Sequence, residues 1–137
     1  MDAGLKLSAE DAKRFEENML HGKKIKVMLF QLDADGNKIE FKFERDNNYD
    51  YEKLKDELPK DDGAIIIVDF EYKSKDGKTP RTLIAINYVP TSTPVKRRFK
   101  YPAALKGITN QYQIPVEMQP SDWSQMDTKA LIEKVDK

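Results

Sequence analysis

Apolar and polar residues along this chain follow two periods, and the switches between them predict its elements. Behind Ser8, a hydroxyl placed to cap a helix with Asp11 as its capping-box partner, Ala12, Phe15 and Met19 recur at three- and four-residue intervals. His21-Gly22 predicts the end of that helix. IKVMLFQL (25–32) is rich in β-branched and aromatic residues. After the turn DADGN, IEFKFE (39–44) alternates apolar with charged residues, which predicts a hairpin whose second strand has one wet face. Asp50 opens a short helix through Tyr51, Leu54 and Leu58, stopped by Pro59. AIIIVDF (64–70) is apolar on both faces and reads as a central strand. A polar loop with an Asp76-Gly77 turn leads to TLIAINYV (82–89) as the fourth strand.

Pro94 then sits where a first-turn proline belongs, with Thr93 or Thr91 as the cap of a long helix. Val95, Phe99, Pro102, Leu105, Ile108 and Tyr112 form its expected core-facing stripe. A fifth strand is expected over 114–118. Asp127 caps a last helix that packs Leu131 and Val135 inward. The order α-ββ-α-ββ-α-β-α, with hairpins and long helical crossovers, predicts an α/β (mixed α+β) fold: one domain over 1–137, a five-stranded mixed sheet with helices on both faces.

Composition narrows the chemistry. The chain has 137 residues, 39% hydrophobic and 35% charged, with zero net charge, which suits an ordered globule with a single core. No apolar run approaches the roughly 20 residues of a bilayer span, and no signal-type segment follows Met1, so neither secretion nor a transmembrane segment is expected. The absence of cysteine removes disulfides and thiolate metal sites and suits the cytosol or nucleus. DADGN resembles a calcium loop with Glu44 twelfth from Asp33. Its glycine falls fourth where the sixth position needs one, and strands flank it, so it reads as a hairpin turn. His21 is the only histidine and a helix-end residue, so no histidine cluster is available. No active site, metal or cofactor is expected.

Charge is uneven. From Gly77 to Val116 the chain carries Lys78, Arg81, Lys96, Arg97, Arg98, Lys100 and Lys106 and no acidic residue. Such a block fits an acidic partner (protein, phospholipid headgroup or nucleic acid) or an ordinary solvated surface.

Several segments occur in a telling order: MDAGLKLS at the start, GKK before the first strand, then YDYEKLKDELPKDD and IIIVDFEY. A proline-ended strand leads to TPVKRRFKY, and VEMQPSDWS with ALIEKV closes the chain. Spanning nearly the whole length, they identify the chain as resembling the ADF/cofilin family. The resemblance implies a non-enzymatic, cofactor-free protein that binds actin monomers and filaments and promotes severing and depolymerisation by favouring one filament conformation. It implies a monomer that is cytoplasmic and cytoskeleton-associated, with the nucleus as a further option.

Carried over residue by residue, the monomer-side contacts implied are Asp2, Ala3, Gly4, Lys96, Arg98, Lys100, Leu105 and Lys106. Filament-side contacts implied are Lys78, Arg81, Glu133, Lys134 and Lys137. Lys96 and Lys100, four apart, are expected to share a helix face turned away from Val95 and Phe99, suited to carboxylates or lipid phosphates. Three departures stand out. The tail serine that is the family's phosphorylation site is here Ala3, so that switch is absent from its usual position. Where the family helix reads roughly YASSKDALKR, this one reads YPAALKGITN. Pro102 is expected to kink it, Gly107 to weaken it, and Leu105 takes the place of an actin-facing lysine. The basic pair of the hairpin falls on Pro80 and Thr82, with Arg81 between them on the opposite face. Two alternatives follow: a filament-side binder or monomer sequesterer of the coactosin or glia-maturation-factor kind with weak severing, or a phosphoinositide- or nucleic-acid-binding module using Arg97, Arg98 and Lys100. Actin is the preferred partner, phosphoinositide headgroups a secondary one, and no nucleic acid is expected.

Overall fold

The computed structural model describes residues 5–136. A single five-stranded sheet runs β2-β1-β3-β4-β5, built from β1 (Ile25–Leu32), β2 (Ile39–Asp46), β3 (Ala64–Glu71), β4 (Arg81–Tyr88) and β5 (Val116–Met118). All neighbours pair antiparallel except β4 with β5, which is parallel and reached through the long helix α3 (Val95–Tyr112). The mixed sheet therefore has β3 at its centre, where all but the last residue are buried, as its two-faced apolar run requires.

Strand alternation sorts the core into two halves. Met28, Phe30, Ile65, Ile67 and Ala85 face α1 (Ala9–Phe15) and α3, meeting Phe15, Met19, Tyr101, Leu105 and Ile108. Val27, Leu29, Ile66, Val68, Ile84 and Ile86 face the opposite layer, made of Tyr51, α2 (Leu54–Glu57), Met126 and α4 (Thr128–Val135). Tyr51 donates its hydroxyl to the Met126 carbonyl (2.7 Å), which ties the start of that layer to its end. No helix among the described residues is long and apolar enough to cross a membrane.

Caps follow the sequence in three places. Ser8 Oγ accepts the Asp11 N–H, Asp50 accepts from Glu52 N–H, and Asp127 accepts from Ala130 N–H. The reciprocal half of the capping box is missing, because the Asp11 carboxylate turns to Arg14 instead (4.0 Å). The first helix widens into π-type turns over Glu16–His21 and ends at Gly22, for a reason other than a left-handed glycine. Gly22 keeps a right-handed φ, and Lys23 takes the positive one (51°). A Cβ on Gly22 would lie 2.1 Å from the Glu17 carbonyl oxygen.

The expected cap of α3 is a correction. Pro94 has an extended ψ of 140° and is itself the last non-helical residue, with no side-chain cap. The Thr93 hydroxyl is buried and caps nothing. The Pro94 carbonyl accepts the Arg97 and Arg98 amides (2.9 and 3.1 Å), and the earlier N–H groups of the first turn have no side-chain cap.

Tyr112 joins α3 to the first helix: its ring meets Phe15 edge-on at 4.7 Å and its hydroxyl donates to Glu16 (2.9 Å). Burial, and then the hydrogen bond to Glu16, push this phenol up to about 12 from 10.0. A raised phenol stabilises the fold fully below pH 10 and loses that contribution as pH rises from 10 to about 12. Denaturant melts across this range should show stability falling with pH, and Tyr112→Phe should make the fall shallower. An unchanged slope would count against the contact.

Candidate functional site

The first two turns of α3 are organised by an arginine that points inward. Arg97 lies on the side of Tyr101, four residues on, facing the sheet. Its Nε and Nη2 donate to the two carboxylate oxygens of Asp62 (2.9 and 2.8 Å), a bidentate pair. Nη2 also donates to the Leu32 carbonyl (2.8 Å) and Nη1 to that of Asp33 (2.6 Å). Tyr101, fully buried, accepts the Leu32 amide at 3.3 Å and the Arg97 guanidinium at 3.4 Å. One side chain thus holds the β1–β2 turn, the loop before β3 and the start of α3 together. The Asp62 carboxylate keeps the Arg97 guanidinium firmly protonated, and burial pushes the Tyr101 phenol up.

Buried residues on α3 are Tyr101, Ala104, Leu105, Ile108 and Thr109. Two members of the expected core stripe are therefore corrected: Val95 and Phe99 are exposed, 61% and 78%, the large apolar side chains left to solvent among the described residues. The sequence held a signal for this. Tyr101, Ala104, Leu105 and Ile108 form an i, i+3, i+4, i+7 set, and at 3.6 residues per turn Phe99 lies opposite it. Leu105 lies in the core at 1% exposure, as the stripe predicts, so the monomer contact that the resemblance implies for it is corrected.

The cations expected at this face differ in availability. Lys96 is exposed, with no carboxylate within 4 Å among the described residues. Arg98 is exposed but donates Nε to the Thr93 carbonyl (2.8 Å) and Nη2 to that of Thr91. Lys100, half-buried, does not share the open face of Lys96. It folds over Gly36 in the β1–β2 turn and donates to the Asp35 carbonyl (3.2 Å). Gly36 holds φ +71° there, and a Cβ would meet the Lys100 chain at 2.8 Å. Lys106 is exposed and ion-paired with Glu117 at 3.1 Å. Asp33 caps its own hairpin turn by accepting the Asn37 and Lys38 amides, which hold its carboxyl below the usual range. Asp2, Ala3, Gly4 and Lys137 lie outside the described residues.

On the second expected surface, the loop between β3 and β4 meets the end of α4. Lys75 N–H donates to Asp136 (3.0 Å), and Tyr72 OH to the Val135 carbonyl (3.4 Å). Lys78, Glu133 and Lys134 are exposed, and the Lys78 ammonium is 4.0 Å from Asp76. Arg81 is turned away from this loop tip. Its Nε bonds the buried Asp69 carboxylate at 2.8 Å inside a cleft of about 420 Å³ that Lys26, Asn47 and Glu71 also line.

Mixed five-stranded sheet, two helical layers and an outward-facing apolar helix turn define a small protein-binding module. Sequence comparison says which one. The family described as cofilin/tropomyosin-type actin-binding protein matches residues 4–136, and the chain belongs to that family. Cofilin of Eremothecium gossypii is 27% identical over 97% of this chain and 93% of its own length. The crystal structure of Streptomyces griseoflavus cofilin superposes with a TM-score of 0.78 at 22% identity, covering 96% of both chains. Human coactosin-like protein shares the fold at a TM-score of 0.75 and 12% identity, covering 98% of this chain and 90% of that one.

Proposed function

We propose that the protein binds actin monomers and filaments and speeds filament severing and subunit loss, using the outer face of α3 as its monomer contact. The observation that carries this reading is the exposed pair Val95 and Phe99, one turn apart, beside the ammonium of Lys96, which has no carboxylate partner among the described residues. An aromatic left 78% exposed on a rigid helix is an unfilled anchor, the residue type on which binding energy concentrates. Family membership supplies the partner. The reading requires no cofactor or chemistry, and it implies a monomer associated with the actin cytoskeleton. With Ala3 in the tail, control by phosphorylation there is absent from the proposal.

The donors of Arg97 are taken by carbonyls and by Asp62, while Arg98 is drawn to the Thr91 and Thr93 carbonyls and Lys100 to that of Asp35, which counts against a phosphoinositide or nucleic-acid site at this helix. A second reading, monomer sequestration with weak severing, is favoured by one observation: Arg81 is drawn to Asp69 and away from the hairpin's exposed tip. Filament co-sedimentation, monomer binding and severing watched by light microscopy separate the two. Severing at micromolar protein supports the first, and tight monomer binding without severing supports the second. Failure to bind either form of actin would end both. Reversing Glu133 and Lys134 should weaken filament binding alone.

A further inference from the structure

Gly107 sits in the interior of α3, where glycine is about 1 kcal/mol less favourable than alanine. Its position has a specific reason. A Cβ there would lie 2.2 Å from the carbonyl oxygen of Leu5, so the N-terminal segment crosses the helix backbone in direct contact. Leu5 and Leu7 are buried in the core on either side of that crossing, 6% and 7% exposed. Lys6, between them, is exposed, as alternation in an extended segment requires. With Gly107, Asn110 and Gln111 it lines a groove of about 370 Å³. Among the described residues no carboxylate lies within 4 Å of the Lys6 ammonium, and the facing helix carries no acidic residue.

We infer that Lys6 is a further actin-contacting residue, pairing with a carboxylate-bearing segment of the monomer, and that Gly107 is the positioning residue that sets it there. The inference rests on the actin reading above. Two observations favour that occupant. The groove borders the outer face of α3: at 3.6 residues per turn Asn110, one of its lining residues, falls on the same side as Phe99. Its one charged group is a cation, backed by neutral amides, which suits an anionic protein segment. Alanine at Gly107 leaves the helix itself favoured but forces the Leu5 carbonyl away, and Lys6 moves with it.

The test is a double-mutant cycle on monomer affinity with Lys6→Gln, Gly107→Ala and the pair, at low and moderate salt. Lys6→Gln, on an exposed side chain that leaves the fold intact, should weaken binding about three- to fivefold and reduce its salt dependence. Gly107→Ala should weaken it at least as much and speed amide exchange over residues 5–7. The double variant should bind within about twofold of Gly107→Ala alone, since a displaced Lys6 has nothing left to lose. Independent, multiplying effects would overturn the positioning role, and unchanged affinity in Lys6→Gln would overturn the contact. Loss of self-association or of anionic-vesicle binding in Lys6→Gln, with actin affinity unchanged, would assign the groove to another occupant. If the unaltered protein fails to bind monomers, the actin reading falls. If it binds and the cycle disagrees, only this inference does.

Discussion

Replacing Phe99 with alanine is expected to weaken actin-monomer binding by about 2 kcal/mol, roughly thirtyfold, with the melting temperature unchanged. The two halves of that expectation have the same source. Phe99 is 78% exposed, so truncating it removes almost no contact within the fold. At the interface proposed here it is the largest apolar side chain, and burying it against a partner would supply the energy that the free protein forgoes. Val95→Ala should act in the same direction but less, because the side chain is smaller and lies one turn nearer the start of the helix. Titration of labelled monomers, with thermal melts alongside, checks both halves. An affinity within twofold of the unaltered protein would remove α3's outer face from the site, whereas a large drop in melting temperature would show that Phe99 supports the fold instead. Reversing Lys96 and Arg98 together should also abolish monomer binding. Arg98 holds the Thr91 and Thr93 carbonyls, so Lys96→Glu alone is the cleaner probe of charge.

The largest effect on stability is expected from Arg97→Gln. The change deletes the bidentate pair with Asp62 and leaves that carboxylate and the carbonyls of Leu32 and Asp33 without their shared donor. Arg97 and Asp62 side chains are 17% and 24% exposed, so the ion pair is partly screened, and removing one partner should destabilise by about 2–3 kcal/mol. For a chain of this length that corresponds to roughly 6–12 °C in melting temperature. Asp62→Asn in the Arg97→Gln background should add little, because the two residues act as one unit. Monomer binding should weaken as well, since the clamp fixes the register of Val95, Lys96 and Phe99 against the sheet. A melting temperature within about 2 °C of the unaltered protein would mean that the neighbouring loops hold themselves.

Much of the fold was legible because the periodicities are strong and the punctuation is local. The apolar run of 64–70 could only be a strand covered on both faces, and β3 is the centre of the sheet with helices on both sides. Ser8, Asp50 and Asp127 are capping residues whose acceptors act within three positions, so no distant part of the chain was needed to foresee them. The start of α3 departs from its spacing for a matching reason. Apolar spacing predicts burial, yet Val95 and Phe99 satisfy the spacing while facing solvent. Their inward counterpart is a charged residue, Arg97, whose acceptors come from Leu32, Asp33 and Asp62, some 35 to 65 positions away. For Leu105 the apolar spacing predicts the core and the correspondence with a lysine implies an actin contact; its environment is apolar, and the spacing prevails.

What the sequence by itself determined is the order of elements, the split of each strand into two faces, the caps at Ser8, Asp50 and Asp127, the basic character of the segment that contains α3, and the family motifs. These depend on neighbours a few positions apart, and the chain carries that information in its spacing. Only the tertiary structure decided which cations remain available. Lys96, Arg98, Lys100 and Lys106 look alike in sequence, but a loop carbonyl, a turn and Glu117 occupy the last three. It also decided that Gly107 is a notch for the Leu5 carbonyl and not merely a weak helix position, because that steric demand comes from residues about a hundred positions earlier in the chain.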